Sequence, residues 1–130
     1  MKSELFEKAE SMLKFSYSPY SHFCVGAALL CADGTIYTGC NIETAAYGPS
    51  NCAERTAIFK AVSEGKKDFV AIAIVGGKNG VIEDFCPPCG VCRQVLAEFC
   101  KKDFLILLKD KKNQVKVFTL DQLLPESFSL

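Results

Sequence analysis

With 130 residues, 49% hydrophobic and 23% charged, the chain has the size of one domain and enough apolar material for a core, which excludes a disordered or fibrous protein. Fifteen basic residues balance fifteen acidic ones and no Lys/Arg stripe stands out, so the footprint for gripping a nucleic-acid polymer is missing. Charges at Glu4, Glu7, Lys8 and Glu10, with no apolar run near the roughly 20 residues that span a bilayer, point away from a membrane and to a cytoplasmic protein.

Leu5, Phe6, Ala9, Met12, Leu13 and Ser16 fall at spacings of three and four, which predicts an amphipathic helix ended by Ser18-Pro19. Phe23 to Cys31 and Thr35 to Cys40 read as strands joined by a two-residue turn at Asp33-Gly34, a β-hairpin. Gly48-Pro49-Ser50-Asn51 gathers turn formers and a candidate N-cap ahead of Cys52, and helical spacing then runs from Ala53 to Glu64 until Gly65. Phe69 to Val75 is an apolar run closed by Gly76-Gly77, as in a strand covered on both faces. Cys86-Pro87-Pro88 forces extended backbone before a helical pattern from Cys89 to Cys100. Leu105 to Leu108 and Val115 to Phe118 flank a polar turn as two more strands, and Asp121 to Leu124 forms a short helical turn.

Eight cysteines without a signal-peptide pattern read as reduced thiols, which raises metal binding or catalysis. Two predicted helix starts concentrate the chemistry, Cys52-Ala53-Glu54-Arg55 and Pro88-Cys89-Gly90-Val91-Cys92. A two-residue gap lets two sulfurs of one helical turn meet one zinc ion. On spacing alone Cys86/Cys89 stands beside Cys89/Cys92, and a four-sulfur structural site completed by Cys86 or Cys40 is a further reading.

Three protein ligands would leave tetrahedral zinc one open position for water, the mark of a catalytic site. Thiolates weaken the activation of that water, so their charge needs an offset. The helix N-termini supply one, and Arg55 and Arg93 lie within a turn of Cys52 and Cys92, with Arg55 the first candidate for a bond to the sulfurs. Glu54, two positions after Cys52, suits a general acid/base beside the water. Cys24, Cys31, Cys40 and Cys100 read as small buried or half-buried residues, and His22 as solvent-facing or capping. Gly76-Gly77 and Gly80 lack the Lys-Ser/Thr of a phosphate loop.

A ligand-x-Glu element followed by Pro-Cys-x-x-Cys resembles the zinc deaminases. More narrowly, the chain resembles the short cytidine deaminases of free nucleosides over nearly its whole length. The resemblance is carried by Pro19-Tyr20-Ser21, Phe23, Val25-Gly26-Ala27-Ala28, Gly39-Cys40-Asn41-Ile42-Glu43, Cys52-Ala53-Glu54-Arg55-Thr56-Ala57 and Cys89-Gly90-Val91-Cys92-Arg93-Gln94.

It implies one catalytic domain over residues 1–130, an α/β three-layer α-β-α sandwich with a mixed sheet of about five strands, and the two ligand-bearing helices side by side on one face. It implies one Zn²⁺ per chain on Cys52, Cys89 and Cys92, with the Pro88-Cys89 register favouring Cys92 over Cys86. Water activated on the metal attacks C4 of the base while Glu54 protonates N3 and later carries a proton to the departing amino group. Cytidine and deoxycytidine then give uridine, deoxyuridine and ammonia, in pyrimidine salvage.

By the same resemblance Asn41 and Glu43 bind the ribose hydroxyls, Phe23 packs on the pyrimidine, and the backbone at Ala53 reads the base edge. Ala45 and Tyr47 reach a neighbouring subunit's ribose, and Phe128 packs on a base across an interface. Cys52, where other zinc deaminases carry His, is similar to the homotetrameric branch. Two rivals are a deaminase of another amino-substituted heterocycle, such as a nucleoside antibiotic, and a zinc-stabilised binding module without turnover. Asn41 and Glu43 argue against the first and Glu54 against the second.

Overall fold

The computed structural model describes residues 2–130. Strands β1 (Phe23–Cys31), β2 (Ile36–Cys40), β3 (Phe69–Lys78), β4 (Leu105–Lys109) and β5 (Val115–Thr119) form one sheet in the order β2-β1-β3-β4-β5. Only β3 and β4 run parallel; the other neighbours are antiparallel. A parallel pair needs a long crossover, and the chain between β3 and β4 supplies it with helix α3 (Gly90–Phe99).

The two-residue period of the strands sorts the core into two layers. Ala27, Leu29, Ile72, Ile74, Ile106 and Leu108 meet Ala57, Ile58 and Ala61 of α2 (Ala53–Ser63) and Leu96 of α3. Their neighbours Ala28, Leu30, Ala71, Ala73, Val75 and Leu107 meet Leu5, Phe6 and Ala9 of α1 (Lys2–Ser11). This is the expected three-layer arrangement, with α2 and α3 sharing one face. Each fully buried Leu or Ile stabilises it by roughly 1.5–3 kcal/mol.

Glycine decides how closely α2 approaches. A Cβ on Gly39 would lie 2.4 Å from the Ala53 carbonyl oxygen and 2.6 Å from the Ala57 nitrogen. The first turn of α2 therefore rests directly on the backbone of β2, which sets the height of Cys52 and Glu54 above the sheet.

Four local expectations change. The first helix ends at Ser11, and a 3₁₀ turn (Leu13–Phe15) replaces its continuation to Ser16. The backbone must leave the helical path because Tyr17 N–H donates to the Asn41 carbonyl and Glu43 N–H to the Tyr17 carbonyl. The hairpin connection is wider than two residues, with Gly34 left-handed at φ +90° and Ala32 N–H donating to the Asp68 carbonyl. Gly76-Gly77 does not stop β3, because β1 continues alongside with Val25 opposite Gly76 and Cys24 opposite Gly77. Finally, Cys52 itself occupies the N-cap of α2, while the Asn51 side-chain amide donates to Thr56 Oγ1 at 3.1 Å.

Candidate active site

Two helix N-termini bring the sulfurs together. Cys52 (φ −77°, ψ 158°) and Cys89 (φ −69°, ψ 167°) are extended N-cap residues of α2 and α3, so each thiol projects from the entry of a helix. Cys92 follows one turn into α3, and its N–H donates to the Cys89 sulfur at 3.5 Å. The three Sγ atoms lie within 4.8 Å of one another, with Cys52 and Cys89 3.8 Å apart. Tetrahedral zinc with Zn–S bonds of ~2.3 Å would hold its sulfurs roughly 3.8 Å apart. The donor set therefore fits zinc in chemistry and in spacing.

Cys86 stands outside this group. Burial first, then the charges of Glu54 and Cys52, pushes its thiol up to about 12, which leaves it a protonated wall residue. Cys31 and Cys40 are buried, and Cys24 and Cys100 half-buried, as expected of packing thiols.

The charges around the sulfurs are arranged to favour thiolate. Cys52 is brought down to about 5, first by the hydrogen bond with Cys92, against the cost of burial, and then by Arg55 and Cys89. The same bond, with burial and the charges of Glu54, Cys52 and Cys89, raises Cys92. Arg55 Nη2 donates to Cys52 Sγ at 3.3 Å. Burial works against the Arg55 charge, yet bonds to the Cys52 and Cys92 sulfurs raise its pKa above the ordinary value.

Arg93 does something else. Its Nε donates to the Pro88 carbonyl and its Nη1 to the Leu123 carbonyl, both at 2.8 Å. Sequence reading set Arg93 beside Arg55 as a source of charge for the thiolates; in the structure its side-chain hydrogen bonds go to these two backbone carbonyls and not to a sulfur.

Glu54 occupies the second position of α2 and is 4% exposed, the one buried charged side chain among the described residues. Removal from water raises its carboxyl to about 7; the Cys52 charge adds to this, while hydrogen bonds, one with Cys92, oppose it. An acid poised near neutrality beside the sulfurs can both take and give a proton.

Asn41, Glu43, Tyr47, Cys52 and Arg55 line one hollow of ≈ 410 Å³. A neighbouring hollow of ≈ 450 Å³ shares Glu43 and Tyr47 and opens toward Tyr20 and Ser21. Asn41 Oδ1 accepts from the Ser16 hydroxyl at 2.5 Å and the Val25 N–H at 2.9 Å. Its Nδ2 donates to the Phe23 carbonyl at 2.8 Å, and an amide nitrogen has one further N–H to give. Glu43 Oε1 accepts the N–H groups of Tyr20 and Ser21, both at 3.1 Å, and Oε2 accepts the Ser21 hydroxyl. Ser21 leads in holding the Glu43 carboxyl below its ordinary pKa, so it stays a charged acceptor.

Tyr47 is 72% exposed, sits at φ +63°, and meets Tyr20 edge-on at 6.3 Å between ring centroids. Left-handed backbone at a non-glycine residue is costly and often marks a functional loop. Phe23 is exposed and its ring edge comes within 3.2 Å of where a Gly76 Cβ would stand, so glycine there makes room for the ring. Ala53 is fully buried under the N-cap. Ala45 and Phe128 are exposed and lie outside the hollow. The Phe128 carbonyl accepts from Gln94 Nε2 at 3.1 Å. His22 is exposed, as expected.

Ser16 and Ser21 support Asn41 and Glu43, a role not read from sequence. The signal for Ser21 was present in its place beside Tyr20 in the Pro19-Tyr20-Ser21 run. Ser16, assigned to a helix, carried none.

The family model for the cytidine and deoxycytidylate deaminase zinc-binding region matches residues 1–108. A cytidine deaminase from Sporosarcina psychrophila is 48% identical, with the match covering 97% of this chain and 90% of that protein. One from Halalkalibacterium halodurans is 47% identical over 96% of this chain and 92% of its own length. The crystal structure of a cytidine deaminase from Burkholderia pseudomallei superposes with a TM-score of 0.90 at 42% identity, covering 98% of this chain and 99% of the other. Matching sequence, matching fold and a three-sulfur cluster at two helix N-termini lead to one conclusion: the chain belongs to the cytidine and deoxycytidylate deaminase zinc-binding family.

Proposed function

We propose that the chain hydrolyses cytidine and deoxycytidine to uridine and deoxyuridine with release of ammonia, using one zinc ion on Cys52, Cys89 and Cys92. The observation that carries this is the Glu54 carboxyl, buried with a pKa raised to about 7, beside three sulfurs that a single metal fits. When bound, zinc supplies a Lewis acid that makes a water nucleophilic near neutral pH.

Glu54 takes one proton of the attacking water and delivers it to N3 of the base, then takes the proton left on the oxygen newly bonded to C4 and passes it to the leaving amino group, so its carboxylate is restored after each turnover. Arg55 withdraws charge from the thiolates through Cys52. Asn41 and Glu43 take the ribose hydroxyls, Asn41 through its remaining N–H and Glu43 as a charged acceptor held by Tyr20 and Ser21. Phe23 packs on the pyrimidine and the Ala53 backbone reads the base edge.

The chain forms a homotetramer in which Ala45 and Tyr47 reach a neighbour's ribose and Phe128 a base across the interface. Tyr47 at 72% and Phe128 at 69% exposure leave large aromatic surfaces uncovered by their own chain, which supports this reading. One continuous sheet supports a single catalytic domain over residues 1–130. No described helix is long and apolar enough to cross a membrane, and eight unpaired thiols suit a reducing compartment. We place the enzyme in the cytoplasm, in pyrimidine salvage.

The test is purification without added metal, zinc analysis, and ammonia release from cytidine, deoxycytidine, free cytosine and amino-substituted nucleoside antibiotics. About one zinc per chain is expected, with turnover of both nucleosides and little of cytosine, which lacks the ribose. Inert nucleosides alongside a reactive antibiotic would establish the rival substrate.

A further inference from the structure

Arg93 grips both peptide units that flank a sulfur of the cluster. Its backbone N–H donates to the Cys89 carbonyl at 2.9 Å, and its side-chain Nε donates to the Pro88 carbonyl at 2.8 Å. The Pro88 oxygen lies on the planar peptide that joins Pro88 to Cys89, so holding it fixes the plane from which Cys89 departs. Pro88 is fully buried, and its ring locks its own φ.

Cys89, in contrast, is exposed. Its sulfur is met by the Cys92 N–H at 3.5 Å and by the Cys52 sulfur at 3.8 Å, both weak contacts. Its direction is therefore set by its backbone, and both carbonyls beside that backbone are in the hold of one residue. The far side of the guanidinium is anchored in turn, with Nη1 on the Leu123 carbonyl at 2.8 Å, at the end of helix α4 (Leu120–Leu123).

We propose that Arg93 is a positioning residue that pre-sets the Cys89 sulfur for the metal by clamping the Pro88–Cys89 peptide against the α3 entry. This rests on Cys89 being a zinc ligand. A planar fork with donors at fixed angles satisfies two carbonyls, that of Pro88 and that of Leu123, 30 positions beyond Arg93, and an ammonium at the tip of a Lys stem lacks the donor at the Nε position. Groups that orient a metal ligand commonly matter to metal affinity nearly as much as the ligand itself.

The test uses the full-length zinc protein and follows zinc transfer to a chromogenic chelator in Arg93→Met, Arg93→Lys and Gln94→Ala. Gln94→Ala frees the Phe128 carbonyl of the same terminal segment but leaves both carbonyls beside Cys89 in place. Release roughly 10- to 100-fold faster is expected in both Arg93 variants, with Gln94→Ala within about twofold of wild type. The cobalt-substituted Arg93 variants should also show shifted ligand-field bands, which report sulfur geometry even at temperatures where a weakened variant is only just folded.

Wild-type release rates or an unshifted cobalt spectrum in the Arg93 variants would overturn the proposal. So would equal acceleration in Gln94→Ala, which would mean general loosening of the segment. A wild-type protein without zinc, or Cys89→Ser that keeps it, would instead remove the ligand assignment beneath it.

Discussion

Arg55 brings Nη2 to 3.3 Å from the Cys52 sulfur, while Nε of the same guanidinium is buried without a hydrogen-bond partner. An orphaned buried donor costs about 1–3 kcal/mol. The cost is offset where the guanidinium meets sulfur charge at low dielectric. Arg55→Gln keeps similar length without the charge. In zinc-supplemented buffer it is expected to hold its metal while kcat falls roughly 10- to 100-fold, because uncompensated thiolate charge makes the metal a weaker Lewis acid. Steady-state kinetics with zinc content measured on the same sample checks this; kcat within twofold of wild type would detach Arg55 from the chemistry.

Gly39 and Gly34 should respond to alanine for different reasons. At Gly39 the new Cβ meets the Ala53 and Ala57 backbone at 2.4 and 2.6 Å, so α2 must lift, at a cost of ~1–3 kcal/mol or more. Zinc retention should fall with it. At Gly34 nothing lies within 4 Å, but φ is +90°, and only conformational strain of ~1 kcal/mol is expected. Urea unfolding orders the two variants, and zinc loss should accompany Gly39→Ala alone.

Glu54 links stability to pH in the metal-free protein. Its folded pKa, about 7, lies above its ordinary value of 4.5, so the native state binds the extra proton. Stability from this group is full below pH 4.5 and is lost as pH rises through about 7, in total on the order of 3 kcal/mol. Metal-free Glu54→Gln should therefore be more stable than metal-free wild type at pH 8. The difference should shrink toward zero near pH 4.5. Paired denaturant titrations test the sign directly, and a gain that grows on acidification would contradict it.

Asn41 and Glu43 differ in what their loss costs the fold. Asn41→Ala leaves the Val25 N–H without its acceptor, while the Ser16 hydroxyl still has Ser18 Oγ at 3.2 Å, and the orphaned N–H should cost about 1–3 kcal/mol. The groups that Glu43 accepts from sit at the surface, where water replaces it. Glu43→Ala should unfold within ~0.5 kcal/mol of wild type yet raise KM for cytidine at least tenfold, with kcat changed less than about threefold.

Legibility followed the range of the interactions. Cys52-x-Glu54 and Cys89-x-x-Cys92 could be read because each relation spans no more than a helical turn, while the choice of Cys92 over Cys86 came with the likeness to the Pro-Cys-x-x-Cys element. The α1, α2 and α3 segments and all five strands were legible as elements, and the family likeness added a mixed sheet of about five strands, while the order β2-β1-β3-β4-β5 was not legible because no local pattern fixes the pairing of strands distant in the chain. Arg55 and Arg93 each lie within a turn of a cysteine, with Arg55 read as the first candidate for a bond to the sulfurs and Arg93 as a second source of charge. What separates them is the Leu123 carbonyl, brought beside Arg93 by the fold. Gly76-Gly77 read as a stop because glycine punctuates chains, and no local rule reveals that β1 continues opposite. Asn41 read as a ligand-facing residue, and its bonds to Ser16, Phe23 and Val25 emerged only once β1 and the 3₁₀ turn stood next to it.

The most direct measurement is zinc content and ammonia release from cytidine, made side by side on wild type and Glu54→Gln. The carboxyl lies outside the three-sulfur cluster, so both proteins should carry about one zinc per chain, and the variant's kcat should fall by at least 10²-fold. Turnover at the wild-type rate in a variant that keeps its zinc would contradict a proton-carrying role for Glu54.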